Sequence, residues 1–144
     1  MPGIALNQAN TIIEAALTRG TELALAPLTV AVLDSGGHLV AFQRQDGSGI
    51  LRFDIAYGKA WGALGMGFGS RELANRAQHM PGFFAALAAA SQGRIVPVPG
   101  GVLIQDASGT IVGAVGISGD TSDNDESCAL AGINAAGLVA KPGA

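Results

Sequence analysis

Two glycine-closed turns, each between short apolar runs, constrain this chain more than any other feature. Leu28 to Leu33 is rich in β-formers, Asp34-Ser35-Gly36-Gly37 is a turn, and His38 to Gln43 resumes an extended pattern. The glycine pair supplies the φ > 0 positions of a tight reversal, so the segment reads as a β-hairpin. Val102 to Gln105 and Thr110 to Ser118 repeat the arrangement around Asp106-Ala107-Ser108-Gly109. Arg94 to Val98, ahead of Gly100-Gly101, has the composition of a further short strand.

Between and around the hairpins the pattern turns helical. Leu6 to Leu25 carries an apolar stripe of Ile12, Ile13, Ala16, Leu17 and Leu23, and Pro27 stops it. Asp54 to Phe68 reads as a second helix, unusually rich in glycine, which lets another backbone approach closely. Ser70 to Gln78 is a short helix with Ser70 as its cap, and Pro81 opens another through Ala90. The last helix starts with Ser122 as cap and has Asp125 and Glu126 in its first turn. Its apolar face runs from Cys128 to Val139, ahead of Lys141-Pro142-Gly143. Two antiparallel hairpins separated by helices predict an α+β layer fold, not a doubly wound parallel sheet. At 144 residues, with no repeat or linker, residues 1–144 read as one domain.

Composition narrows the function classes. Hydrophobic residues make up 49% of the chain and charged ones only 13%. That predicts a packed core with apolar surface left over for subunit contacts. The net charge is −3, with eight Lys and Arg in no basic stripe, which argues against nucleic-acid binding. No apolar run reaches the roughly 18 residues of a membrane helix. Met1-Pro2-Gly3-Ile4 has no basic segment leading into an apolar run, so no secretory leader is expected and a cytoplasmic protein is. A single cysteine, Cys128, suits a reducing compartment and rules out an internal disulfide.

Four segments together resemble the GlcG/HbpS-like family, which also occurs as the C-terminal domain of PduO-type proteins. They are Val30-Ala-Val-Leu-Asp-Ser-Gly-Gly-His-Leu-Val-Ala-Phe42 with Arg44, Asp46 and Gly47; Ile55-Ala56 with Lys59-Ala60; Pro99-Gly-Gly-Val-Leu-Ile104; and Ile111-Val-Gly-Ala-Val-Gly-Ile-Ser-Gly119 with Asp125-Glu126 and Ala129. No one segment is specific, but the set and its order are. The resemblance implies a profilin-like fold: a central antiparallel sheet of about five strands with helices on both sides. It implies a homo-oligomer, tetramer or octamer, with a small-molecule ligand, and it admits heme as the cofactor and no other. Ser91-Gln92 stands approximately where heme-binding members carry a His-Thr-type segment.

Residue chemistry leaves two functional readings open. One is a heme or tetrapyrrole module for sensing, storage or degradation, with His38 at the first turn and His79 beside Met80 as candidate ligands. Either histidine can equally be a plain turn or loop residue. The other is an isomerase, lyase or hydrolase acting on an organic acid or ring-cleavage product at a subunit boundary. There Arg44 and Lys59 would clamp a carboxylate, and Asp125 or Glu126 would do acid–base work. The bland alternatives are ion pairs for the cations and helix-capping for the carboxylates. Gly100, Gly101, Ser118 and Gly119 flank the second hairpin, where backbone N–H groups can meet a ligand. The acidic spacing matches no calcium loop, so no metal is expected.

Overall fold

The computed structural model describes residues 3–143; Met1 and Pro2 of the N-terminal pattern lie outside them. The elements run α1 (Leu6–Glu22), β1 (Thr29–Asp34), β2 (Leu39–Arg44), α2 (Arg52–Met66), α3 (Ser70–His79), α4 (Pro81–Ala90), β3 (Gly101–Gln105), β4 (Ile111–Ser118), α5 (Ser122–Ala135) and β5 (Val139–Lys141). The strands form one sheet in the order β2-β1-β4-β3-β5, with every pair antiparallel. Both hairpins predicted from the sequence are present.

The two hairpin turns use the same device. Asp34 Oδ1 accepts the backbone N–H groups of Gly36 and His38, each at 2.9 Å. Asp106 Oδ1 accepts those of Ser108 and Thr110, each at 3.0 Å. Gly37 and Gly109 then take the left-handed conformation at φ 83° and 86°. Partial burial pushes the Asp34 carboxyl up, but the N–H groups of His38 and Gly36 override it and hold it below its ordinary value. The Ser108 hydroxyl and the Thr110 N–H lower Asp106 in the same way. Asn124, with the backbone of Ala26 and Thr121, lowers Asp120. The sign of the linkage follows. Each carboxyl titrates lower in the folded chain than in the unfolded one, so its contribution is full above an unfolded pKa of about 3.9. That contribution is lost as pH falls through the folded value. A thermal melt series is expected to stay flat from about pH 7 to 5 and to drop below about pH 4. Asp106→Asn and Asp120→Asn should each make that drop shallower.

One sheet face carries the larger core. Ile12, Ile13 and Ala16 of α1 and Ala129 and Ile133 of α5 pack on Val30, Val32, Val102, Val115 and Ile117. The other face carries α2, with Ala60 and Ala63 on Leu33, Leu103 and Ala114. Here the helix backbone lies directly on the sheet. A Cβ at Gly116 would stand 1.9 Å from the Ala56 carbonyl oxygen, and one at Gly101 2.3 Å from that of Lys59. The close approach is therefore made by glycines of the strands, while the glycines of α2 serve its outer side.

That arrangement corrects the strand expected over Arg94–Val98. The segment forms no strand; it runs beside α2, where the Val96 N–H donates to the Gly58 carbonyl at 3.2 Å. A side chain at Gly58 would stand 2.4 Å from the Arg94 carbonyl oxygen. The last helix also differs from expectation. It is capped by the Thr121 hydroxyl, which accepts the Asn124 N–H, not by Ser122, and it stops at Ala135. Val139–Lys141, the expected helix tail, instead pairs with Leu103–Gln105 as the fifth strand. Ser70 likewise does not cap α3: Gly69 holds that position, and the Ser70 hydroxyl accepts the Gly101 N–H at 2.7 Å.

Candidate functional site

Lys59 is among the largest fully buried side chains among the described residues, although lysine is seldom buried unless paired. It projects from the middle of α2 past the glycines at the start of β3. Its Nζ donates to the Ile117 carbonyl at 2.8 Å and to Asp125 Oδ2 at 3.1 Å. The other Asp125 oxygen accepts the Asp120 N–H at 3.0 Å. Burial pulls the Lys59 ammonium below its ordinary value, Asp125 opposes that, and the nearby charge of Arg52 adds to it. The pair bolts α2 to α5 across the end of β4.

The remaining candidates fall in three places. Gly100 and Gly101 make room for Lys59: a Cβ on Gly100 would meet Lys59 Nζ at 2.9 Å. Gly119 passes closer still to the Pro27 carbonyl oxygen, which a Cβ there would meet at 2.2 Å. Glu126 is held by Arg71 Nε, at 3.0 Å and 3.2 Å to its two oxygens, joining α3 to α5. Cys128 is buried, and burial, with the Asp125 charge adding, pushes its thiol up to about 11, so it packs as an apolar group.

Arg44 does not join Lys59 in a clamp, because the Lys59 ammonium is already satisfied inside the fold. The register sets Arg44 opposite Thr29, and Thr29 opposite Ser118. The cation that meets this row is Arg52, whose Nη1 donates to Ser118 Oγ at 3.0 Å. Arg52 escapes a reading of the sequence, where it stands in a loop-to-helix junction and its partner lies 66 residues away.

The histidines lie elsewhere. His38 stands at the first turn with its side chain 80% exposed, and its Nδ1 lies 3.1 Å from Asp34 Oδ1. A cleft of about 240 Å³ borders it, lined also by Ile4 and Val40. His79 ends α3, and its Nδ1 lies 2.9 Å from the Asn75 carbonyl oxygen, so Nδ1 carries the proton and donates. Beyond it α4 has no charged residue, and of that helix only Phe84 is buried. A cleft of about 650 Å³ runs between Gly67–Gly69, Leu103, Ile111 and the C-terminal strand, and none of the candidate residues lines it.

A five-stranded antiparallel sheet with α1 and α5 on one face and α2 on the other defines a profilin-like α+β protein. More narrowly, residues 4–134 match the family model described as haem degrading protein HbpS-like, and the chain belongs to that family. An uncharacterized 15.0 kDa protein from the dhaT-dhaS intergenic region of Citrobacter freundii is 30% identical over 122 residues, covering 85% of this chain and 84% of that protein. The crystal structure of a PduOC:heme complex superimposes with a TM-score of 0.85 at 26% identity, covering 95% of this chain and 97% of that one. That of Klebsiella pneumoniae ORFY gives 0.83 at 30% identity, covering 93% and 90%. No helix among the described residues is long and apolar enough to cross a membrane.

Proposed function

We propose that this protein is a heme- or tetrapyrrole-binding module that works as a homo-oligomer, in sensing, storage or degradation. The observation that carries the reading is His79. Its Nδ1–H is tied to the Asn75 carbonyl, which leaves the Nε2 lone pair for a metal, and such second-partner bonds are how metal-binding imidazoles are oriented. Next to it stand Met80, 41% exposed, and Phe83, 50% exposed, the one before and the other on the first turn of a helix without charge. An apolar macrocycle suits that surface, and a second subunit is the natural cover for the rest of it. The family and the heme complex formed by PduOC support the same ligand. His38 offers a second imidazole oriented by Asp34, but with less apolar surface around it.

The test is a hemin titration followed by absorbance, with oligomer size read by light scattering on the same sample. A saturable Soret band at about one heme per chain or per dimer is expected, weakened by at least about tenfold in His79→Ala and little changed in His38→Ala. An absence of any spectral change at micromolar hemin would overturn the reading. In that case an organic-acid enzyme becomes the better account, because Arg44 and Arg52 make no ion pair among the described residues.

A further inference from the structure

The C-terminal end of α2 leaves part of the sheet uncovered. The helix stops at Met66, and Gly67 takes the left-handed conformation at φ 82° before the chain enters α3. Ala60 and Ala63 cover Leu33, Leu103 and Ala114, while Ile111 lies at the margin of that cluster and is only partly buried. Beyond the helix end a cleft of about 650 Å³ opens, bordered by Phe68, Glu72, Leu103, Gln105, Ile111 and Lys141. These side chains share one open space, of a size at which small-molecule sites occur, roughly 300–1,000 Å³.

The strand register decides what faces it. Residues directly opposite in antiparallel strands project to the same face. Lys141 stands opposite Leu103, and Gln105 opposite Ile111. Leu103 and Ile111 belong to the cluster under α2, so Lys141 and Gln105 rise on that face. Ala140 pairs with Ile104 and packs with it in the core of the opposite face, as strand alternation requires. One wall is set by the C-terminal segment, which lies on the start of α3. There the Pro142 carbonyl accepts the Arg71 N–H at 3.2 Å, and a Cβ on Gly69 would stand 1.9 Å from the Pro142 carbonyl carbon.

Two ionisable side chains border the cleft, and they are not equivalent. Glu72 Oε1 lies 3.7 Å from Arg76 Nε on the same helix, and the Arg76 guanidinium lies 4.2 Å over the Phe68 ring. The Glu72 charge is therefore met within α3. Lys141 has no ion pair among the described residues. Its ammonium is the charge left over, beside an apolar floor of Leu103 and Ile111. Gln105 stands two residues along from Leu103 and adds an amide that can donate to the same anion.

We propose that this cleft binds a small monoanionic acid with an apolar body. Lys141 and Gln105 receive the carboxylate, and the body lies on Leu103, Ile111 and Phe68. A second carboxylate would find no further cation lining the cleft and would face Glu72. The site is separate from the proposed heme surface. It adjoins the first turn of α3, whereas His79 ends that helix, and 10 helical residues span about 15 Å.

The test titrates sodium cinnamate into the full-length protein, labelled with ¹⁵N and methyl ¹³C and free of hemin, with cinnamamide as the uncharged isostere. Saturable shifts are expected at the Leu103 and Ile111 methyl groups and at the Gln105 side-chain amide. Cinnamamide should bind several-fold more weakly. Lys141→Gln, at an exposed position of a short edge strand where the fold is not at stake, is expected to weaken cinnamate by about three- to fivefold. Glu72→Gln is expected to tighten it, because a negative charge leaves the rim. Shifts that are absent or that map elsewhere overturn the proposal, as do equal affinities for acid and amide or an affinity untouched by Lys141→Gln. Displacement of cinnamate by hemin would put both ligands in one place and overturn it too. The heme reading itself is decided by the Soret band, so the two can fail independently.

Discussion

Lys59→Met is expected to destabilise the protein by about 3–5 kcal/mol, the usual cost of removing one partner of a buried ion pair. Methionine roughly fills the space of the aliphatic stem, so lost volume is not the cause. The cost lies in what remains: the buried Asp125 carboxyl would lose the ammonium on its Oδ2, and the Ile117 carbonyl would lose a donor at 2.8 Å. Both groups are shut off from water that could replace Lys59. For a chain of this size the loss corresponds to a fall in Tm of roughly 10–15 °C. Denaturant unfolding of the single variants and of Lys59→Met/Asp125→Leu would show whether the pair acts as a unit. The double variant should be more stable than Lys59→Met alone, since it leaves no unpaired charge. Equal or additive losses would mean that the two residues act separately.

Gly116→Ala is the second large effect. One methyl group here should cost about 3 kcal/mol or more, at the upper end of what overpacking does. The added carbon would lie 1.9 Å from the Ala56 carbonyl oxygen and 3.1 Å from the Ala60 Cβ. Neither neighbour is the flexible tip of a side chain, so relief requires α2 to lift off the sheet. Lifting it would also pull Lys59 from Asp125 and Arg52 from Ser118, because all three contacts ride on one helix. Gly82→Ala is the control. It has nothing within 4 Å of the added carbon and no positive φ, so it should be neutral or stabilise α4 by about 0.5–1 kcal/mol. Comparable losses at both positions, measured by denaturant unfolding, would show that contact with α2 is not what requires glycine at position 116.

The pairing of Lys59 with Asp125 shows how a candidate site can be half legible. The sequence marks Lys59 as the one basic residue of the helix read over Asp54 to Phe68, and marks Asp125 in the first turn of the last helix. Nothing local connects residues 66 positions apart. A lysine that binds a substrate and a lysine that bolts two helices together look the same until the partner is seen. Arg52 illustrates the converse, for its bond to Ser118 exists only once the fold sets the start of α2 over the end of β4.

What the sequence determined by itself is what short-range physics governs. The turns at Asp34–Gly37 and Asp106–Gly109 carry their own acceptor and their own left-handed glycine, so they would form almost anywhere. The apolar stripe of α1 follows from the period of the helix. Tertiary structure decided the rest. Arg94–Val98 has strand composition but lies along α2, whose Gly58 carbonyl takes the Val96 N–H. Val139–Lys141 could have prolonged a helix, but an open sheet edge at β3 received it as a strand. In each case the backbone groups needed partners, and which partner was within reach depended on segments distant in the chain.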